Sequence, residues 1–168
     1  MKRWKIKGFI KEYLPYVIII ILVLLFKRYI ISPIRVNGPS MLDTLEDKDI
    51  MILNEISYKF TGLKRFDIVV VRYKNEYLIK RVIGLPGEKI KYQDNKLYVN
   101  GKEVKENFSH EVTADFDEVT VGDNKYFVLG DNRVNSTDSR IIGAVSIKDI
   151  RGTTKLTIYP FKRFGNKN

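Results

Sequence analysis

The sequence contains no cysteine and only one histidine, His110, among its 168 residues. The absence of cysteine excludes disulfide bonds, zinc–thiolate sites and a cysteine nucleophile. A serine triad would have to use His110, whose polar surroundings instead predict an exposed loop histidine. The Gly-x-Gly-x-x-Gly and Gly-Lys-Ser/Thr phosphate-binding patterns are also missing, which argues against a nucleotide-dependent enzyme. Only two alanines occur while β-branched residues are plentiful, and this composition favours a mainly β fold.

The net charge of +10 is distributed unevenly along the chain. Residues 1–35 contain eight basic residues and one acidic residue, which gives +7, so the rest of the chain carries only +3. A nucleic-acid-binding protein usually carries its positive charge on the folded domain, often with interleaved aromatic residues. Because the basic residues here flank a hydrophobic segment, the sequence predicts a lipid bilayer as partner and no nucleic acid.

Residues 14–31 form this hydrophobic segment, with an unbroken apolar run from Val17 to Phe26. As an α-helix, residues 14–26 would reach about 20 Å, which is short of the ~30 Å hydrocarbon core of a bilayer. Continuing the helix to Ile31 gives about 27 Å, provided that Lys27 and Arg28 extend their side chains to the interface. The pattern predicts a transmembrane anchor.

Two other interpretations of the segment are weaker. A cleaved signal peptide needs small residues at its cleavage site, whereas the first alanine of the chain is Ala114. A buried core helix is also conceivable, but the apolar run leaves no polar face. Five basic residues precede the segment, whereas only two, Lys27 and Arg28, follow its apolar run, or three with Arg35. This bias predicts a cytoplasmic N-terminus. We therefore predict a single-pass protein of the cell membrane, with a cytoplasmic tail (residues 1–13), an anchor (14–31) and an external body.

Beyond the anchor, short β-branched segments alternate with polar and turn-forming residues, which predicts an antiparallel β domain. The near-continuous apolar run from Ile68 to Val71 indicates a strand that is covered on both faces. Asn100-Gly101 is a strong signal for a type I′ hairpin turn. Further strands are expected at residues 145–150 and 153–159, followed by a frayed basic tail from Phe161.

The turn-rich middle of the chain interrupts this pattern and suggests a division of the body into two parts. Residues 88–122 are predicted to form a small β-hairpin insertion that ends in a weakly patterned acidic stretch. Residues 32–87 and 123–168 are predicted to form the main β domain around it.

Three stretches contain residues with potential chemistry, and Ser40 lies in the first. Gly38-Pro39 directly precedes this serine and is expected to set it on a turn. Hydrolysis of a peptide by serine requires a group that removes the hydroxyl proton. The sequence therefore needs to supply a base elsewhere in the chain.

Lys80 is the candidate base in the second stretch. Strand periodicity places it on one face with Leu78 and Val82, while Arg81 points to the other face. Burial on an apolar face lowers the pKa of a lysine from its usual value of about 10.4, and only the neutral amine can accept a proton. The third stretch, residues 130–140, is rich in turn formers and paired charges.

Taken in this order, the three stretches resemble the bacterial type I signal peptidases, which are membrane-bound serine proteases with a Ser–Lys dyad. The residues that carry the resemblance are Asn37-Gly38-Pro39-Ser40-Met41, Lys80-Arg81, and Gly130-Asp131-Asn132-Arg133 with Ser136-x-Asp138-Ser139-Arg140. The resemblance extends from the hydrophobic segment to about Phe161. It implies the signal-peptidase type of antiparallel β-sheet domain behind a single transmembrane helix.

The resemblance also implies a role for each matching residue. Ser40 is the nucleophile, Lys80 the general base, and the backbone N–H of Ser40 the donor to the oxyanion. By the same resemblance, Ser136 orients the lysine. Asp138 and Arg140 form a charge pair beneath the site, and Asp131 pairs with Arg81.

The activity implied is removal of signal peptides from exported preproteins after an Ala-x-Ala-like site, with no cofactor and no metal. Two departures from the family pattern affect the loop around the nucleophile. Asp43 stands where the family usually has proline, and Gly38 stands where some members have a serine that assists the oxyanion hole. Neither departure removes Ser40 or Lys80.

Two other functions are compatible with parts of the pattern. A self-cleaving Ser–Lys repressor has a related fold, but it requires an N-terminal DNA-binding domain where this chain has its hydrophobic segment. An exported β domain that scaffolds membrane proteins would use the motif residues structurally, and it would tolerate Ser40→Ala. The sequence carries no signal of the oligomeric state.

Overall fold

The structure is a computed structural model that describes residues 11–24 and 31–167. Residues 11–24 form a helix, α1, with exposed side chains. Within the described residues, no helix is both long enough and apolar enough to cross a membrane. Most of the predicted cytoplasmic tail, at residues 1–10, and part of the predicted anchor, at residues 25–30, lie outside the described residues. The anchor stays a prediction.

Twelve strands and two further short helices follow in the described part of the chain. The helices are α2 (Ser57–Thr61) and α3 (Ser139–Ile142). The strands are β1 (Ile31–Arg35), β2 (Ile50–Asn54), β3 (Ile68–Tyr73), β4 (Glu76–Gly84), β5 (Lys89–Gln93), β6 (Lys96–Val99), β7 (Lys102–Val104), β8 (Phe116–Thr120), β9 (Lys125–Leu129), β10 (Val145–Ser146), β11 (Ile150–Tyr159) and β12 (Gly165–Asn166).

These strands form two antiparallel sheets, which confirms the predicted mainly β, antiparallel class. The larger sheet has the order β1-β2-β11-β3-β4-β9-β10, and β12 pairs with β11. Strand β3 lies between β11 and β4, and its residues Ile68 to Val71 are all buried. A strand enclosed in this way has no solvated face, which explains its continuous apolar sequence. The prediction of a strand covered on both faces is confirmed.

The smaller sheet has the order β7-β6-β5-β8 and contains no strand outside residues 89–120. The turn between β6 and β7 is Asn100-Gly101, with φ angles of 51° and 76°. Positive φ at both central residues is the requirement of a type I′ turn, so the predicted hairpin is confirmed. Strand β8, which lies partly in the stretch expected to be weakly patterned, pairs with β5 at the edge of this sheet. Its acidic, exposed residues give no alternation by which to predict it.

Three clusters of buried apolar residues hold the sheets together. The first lies on the larger sheet around Val69, Val82 and Val128, under α2. The second joins the two sheets through Ile90 and Phe127. The third packs the segment after β1 onto the larger sheet and comprises Val36, Met41, Leu45, Met51 and Ile68.

The structure corrects one prediction about a strand and one about the C-terminal tail. Residues 145–150 do not form one strand, because only Val145–Ser146 pair with β9 before a 3₁₀ turn at Ile147–Asp149. The C-terminal tail is not frayed. Residues 161–163 form a 3₁₀ turn and β12 pairs with β11, so the chain remains attached to the sheet through Asn166.

Arg163 explains why this tail is ordered. Its Nη2 lies 3.1 Å from Asp49 Oδ2, and its Nη1 pairs with the Glu46 carboxylate. The Asp49 carboxylate is 1% exposed, so the ion pair compensates a charge that has lost its hydration. The sequence of the tail does not indicate that Arg163 pairs with Asp49, because this buried partner lies in a distant segment of the chain.

Arg163→Gln is expected to lower the free energy of unfolding by about 2 kcal/mol, because the buried Asp49 carboxylate would lose its hydrogen bonds to a charged donor. Urea denaturation of the full chain in detergent measures the change. Lys162→Gln is the matched control, since Lys162 is exposed on the same turn and its substitution should have little effect. Equal stability of the two variants would contradict this assignment.

Candidate active site

Ser40 lies on a turn between β1 and β2, as its sequence context predicts. Gly38 has φ of 86°, a left-handed conformation in which residues with a side chain are strained. A glycine therefore suits this position better than the serine that some members of the family carry there. The turn is held against the larger sheet by Met41 and Leu45, which are both fully buried in the third cluster.

Lys80 comes from the middle of β4, where it pairs with Val69 of β3. Its side chain is buried in the centre of the larger sheet, and the residue is 2% exposed. Lys80 Nζ lies 2.7 Å from Ser40 Oγ and 3.0 Å from the Ile79 carbonyl oxygen. The structure thus brings together two residues that are 40 positions apart in the sequence.

The electrostatic surroundings of Lys80 lower its pKa from 10.5 to about 8. Burial is the largest cause, because removing the amine from water disfavours its charged form. The carboxylates of Asp138 and Asp131 act in the opposite direction, since a nearby negative charge favours the ammonium. Burial outweighs both carboxylates, so the neutral amine is accessible at mildly alkaline pH.

Arg81 and Asp131 form a buried ion pair next to the site. Arg81 Nε donates to Asp131 Oδ1 at 2.9 Å, and Nη2 donates to Oδ2 at 2.7 Å. Arg81 points away from Lys80 as predicted, but its side chain is also fully covered. Thr44 Oγ1 donates to Asp131 Oδ2 at 2.6 Å and joins the turn of Ser40 to this pair. The sequence analysis missed Thr44, because a threonine in a turn carries no distinguishing signal.

Asp138 and Arg140 form the predicted charge pair at the start of α3. Arg140 Nε and Nη2 donate to the two oxygens of Asp138 at 2.9 and 2.8 Å. Asp138 is completely buried, caps α3 through the Arg140 backbone N–H, and accepts a hydrogen bond from Gly130 N at 3.1 Å. Both carboxylates near Lys80 are therefore already paired with an arginine.

Gly130 brings this loop into direct contact with Ser40. A Cβ atom at this position would lie 2.4 Å from the Ser40 carbonyl oxygen and 2.3 Å from Ser136 Oγ, so only glycine fits. The neighbouring Asn132 N donates to the same Ser40 carbonyl oxygen at 3.1 Å. The backbone of Ser40 is consequently fixed by residues 130–132.

The hydrogen bond between Ser136 and Lys80 that the resemblance implies is not formed in this structure. Ser136 Oγ is buried and has no hydrogen-bond partner, although it lies against Gly130. Lys80 instead directs its amine to Ser40 and to the Ile79 carbonyl. No sequence pattern specifies which partner a buried side chain selects. The orienting role of Ser136 stays a prediction.

A cleft of about 670 Å³ opens beside Ser40 and Lys80. It is lined by the end of β1 and the segment that follows, and by the first half of β4 with Asn75 before it. Val70 of β3 and Arg151 of β11 complete the lining. This lining is mixed. The apolar side chains are Ile34, Val36, Met41, Val70, Leu78 and Ile79, and the polar or charged ones besides Ser40 and Lys80 include Arg35, Asn37, Asn75, Glu76 and Arg151. The cleft is large enough to receive several residues of an extended peptide.

His110 is not the exposed loop histidine that the sequence predicts. Its side chain is 13% exposed, and Nε2 lies 3.3 Å from Glu106 Oε2. The nearby Phe108 ring packs on Arg81, with its centroid 3.9 Å from the guanidinium carbon. Ser109 Oγ donates to Asp43 Oδ2 at 3.1 Å, so the aspartate that replaces the usual proline has a partner. Among the described residues, no group of three or more potential ligands is arranged to hold a metal ion.

The sequence of the chain matches that of a known protein family. The family model described as "Signal peptidase, peptidase S26" matches residues 9–159. Signal peptidase I S of Bacillus subtilis (strain 168) is 40% identical over 167 residues, which cover 90% of this chain and 90% of the relative. Signal peptidase I of Bacillus amyloliquefaciens is 38% identical over 157 residues, covering 86% of this chain and 85% of the relative.

A solved structure is also similar to part of the chain. The crystal structure of a signal peptidase I from Enterococcus faecalis V583 shares 38% sequence identity, and the match covers 54% of this chain and 95% of that chain with a TM-score of 0.49. The family match extends to residue 9, into the region where the repressor interpretation requires a DNA-binding domain. With its matching motifs and its close Ser40–Lys80 contact, this chain belongs to the signal peptidase family, peptidase S26, and is a serine endopeptidase.

Proposed function

We propose that this protein is a membrane-anchored endopeptidase that removes signal peptides from exported preproteins, with Ser40 as nucleophile and Lys80 as general base. The observation that carries the proposal is the 2.7 Å separation between Lys80 Nζ and Ser40 Oγ at the wall of an open cleft. This distance is within the range that proton transfer between a base and a nucleophile requires. The names of the relatives support signal peptides as the substrate class.

The reaction begins with an extended preprotein in the cleft and Lys80 in its neutral form. Lys80 Nζ accepts the proton of Ser40 as Oγ attacks the scissile carbonyl carbon, and the backbone N–H of Ser40 stabilises the resulting oxyanion. Lys80 then gives its proton to the leaving amine, which releases the mature protein. A water molecule, deprotonated by the same amine, hydrolyses the acyl-enzyme and releases the signal peptide.

The supporting residues act on the geometry and charge of this dyad. Arg81 and Arg140 neutralise Asp131 and Asp138, so the two carboxylates raise the pKa of Lys80 less than unpaired ones would. Ser136 is proposed to orient the amine after a change of its rotamer, which would also satisfy its buried hydroxyl. The apolar part of the cleft lining, which includes Ile34, Val36 and Ile79, is compatible with the small side chains of an Ala-x-Ala site.

The proposed anchor would place the enzyme where it meets its substrate. Residues 14–31 are proposed to span the membrane and to hold the catalytic domain at the outer surface, where exported preproteins emerge. Enzyme and substrate would then meet in two dimensions. The excess of basic residues before the segment supports a cytoplasmic N-terminus.

Ser40→Ala and Lys80→Ala are each expected to abolish cleavage of a preprotein with an Ala-x-Ala site by the detergent-solubilised protein. The double variant should be no worse than either single variant, because the two residues act as one unit. Lys80→Arg should also be inactive, since arginine is not deprotonated at these pH values. Gel analysis of preprotein processing measures all four variants.

Lys59→Ala, which removes an exposed lysine of α2, is the control for this series and should process preprotein at the wild-type rate. Circular dichroism checks that each variant is folded. Measurable turnover by Lys80→Arg would contradict the dyad and point to another base.

The rate of cleavage is expected to rise as the pH passes upward through about 8, the lowered pKa of Lys80, and then to reach a plateau. The same lowered pKa affects stability. Between about 8 and 10.5 the unfolded chain binds a proton that the folded chain does not, so the free energy of unfolding rises with pH in this range. Below pH 8 the full cost of about 3 kcal/mol is present.

Lys80→Met removes this cost and should be inactive, yet at least as stable as wild type below pH 8. Its advantage should shrink as the pH approaches 10.5, the ordinary pKa of lysine. Thermal melts of both proteins across this range measure the difference. If Lys80→Met is less stable at every pH, Lys80 makes a charged structural interaction and is not the general base.

Protease added to intact spheroplasts is expected to digest the region 36–168, because the proposed topology exposes it outside the membrane. An epitope tag at each end of the chain reports which part survives, and a cytoplasmic protein serves as control for lysis. Complete protection of the catalytic region would contradict the topology.

A further inference from the structure

Residues 106–111, which we call the strap, have no regular secondary structure and contact the segments on both sides of the active site. Ser109 Oγ donates to Asp43 Oδ2 at 3.1 Å, on the turn that follows Ser40. Glu111 N donates to the Asp131 carbonyl oxygen at 3.0 Å, on the loop opposite this turn. The strap follows β7 of the smaller sheet, so it connects that sheet to the site.

Glu106, the first residue of the strap, carries a carboxylate that is 5% exposed and fully engaged. Its Oε1 accepts hydrogen bonds from Arg133 Nη2 and from the Tyr92 hydroxyl, both at 2.7 Å. Its Oε2 faces His110 Nε2 at 3.3 Å. The guanidinium of Arg133 is completely buried, and Glu106 is the carboxylate that neutralises it.

Arg133 transmits this constraint to the nucleophile. Its Nε donates to the Gly130 carbonyl oxygen at 3.0 Å, and its Nη1 donates to the Tyr92 hydroxyl at 2.8 Å. The backbone at Gly130 is the part of the loop that lies against the Ser40 carbonyl oxygen, with no room for a side chain between them. Glu106 is thus two hydrogen bonds away from the loop backbone that fixes Ser40.

We infer that Glu106 is a positioning residue for the peptidase reaction, and that it acts through Arg133 on the Gly130 backbone and so on Ser40. Without the Glu106 charge, Arg133 keeps its hydrogen bonds to Gly130, Tyr92 and Thr113 but loses the ion pair that it forms among the described residues. The guanidinium, and with it the loop beside Ser40, is then held less firmly. A displacement of about 1 Å in a catalytic group is enough to lower a rate substantially. The inference rests on the proposed function of Ser40 and Lys80.

The position of Glu106 separates a catalytic effect from an effect on substrate binding. Neither the strap nor Arg133 contributes to the lining of the substrate cleft. Loss of the Glu106 charge should therefore lower kcat and leave KM unchanged. A purely structural role would lower the melting temperature but would not alter kcat of the folded enzyme.

The test compares the full-length, detergent-solubilised enzyme with Glu106→Gln at a temperature where melting curves show both to be folded. We expect kcat for a preprotein with an Ala-x-Ala site to fall about tenfold or more, with KM within twofold of wild type. Glu103→Gln is the matched control, because Glu103 lies on the same small sheet in an exposed pair with Lys96, and its kcat should not change.

Tyr92→Phe is the second variant, since it removes one hydroxyl from the same network and leaves the Glu106–Arg133 ion pair in place. It tests the positioning role if Glu106→Gln does not fold. We expect a smaller fall in kcat, and a combined loss in the double variant below the product of the single losses, because both residues act through Arg133. A kcat within twofold of wild type for the folded variants, or a loss confined to KM, overturns the inference. Failure of the wild-type enzyme to cleave, or cleavage by Ser40→Ala, would overturn the proposed function instead.

Discussion

The burial of the Lys80 amine beside Ser40 is the interaction on which the rest of the structure depends. Loss of hydration lowers the pKa of an amine, and a β strand in the centre of a sheet provides a place where hydration is lost. The fold must then prevent nearby carboxylates from restoring the charge. It does so by pairing Asp131 with Arg81 and Asp138 with Arg140, so that burial has the larger effect on the lysine.

Ser40 is held by a different kind of constraint, because it lies on a turn and not in a strand. Met41 and Leu45 attach the turn to the apolar core, while the backbone at Gly130 packs against the Ser40 carbonyl oxygen. The two sides of this arrangement come from segments that are about ninety residues apart in the chain. Glu106, in the strap that follows the smaller sheet, pairs with Arg133 and so connects that sheet to the same arrangement.

Several features were predictable because their signals are local. A continuous β-branched run identified β3 as a buried central strand, and Asn100-Gly101 identified a hairpin turn from two residues. The order of the three motifs indicated the family that the sequence comparisons establish. The wrong prediction of a frayed tail has the opposite property, because the ordered tail is held by the ion pair of Arg163 with Asp49, a residue 114 positions away. The covered side chain of His110 faces Glu106, which is near in sequence but lies in a segment without a regular pattern. A local pattern does not show such partners when they belong to a distant segment or to an irregular strap.

The sequence by itself determined the mainly β class and the residue types that the chemistry requires, since these follow from composition, periodicity and motif order. Only the tertiary structure decided that Lys80 Nζ lies 2.7 Å from Ser40 Oγ, and that Ser136 makes no hydrogen bond to Lys80. The depth of burial that sets the pKa of Lys80 was likewise decided by the sheet around it. The physical reason is that distances, rotamers and desolvation arise from packing between segments that are remote in sequence, whereas periodicity and turn chemistry act between neighbours.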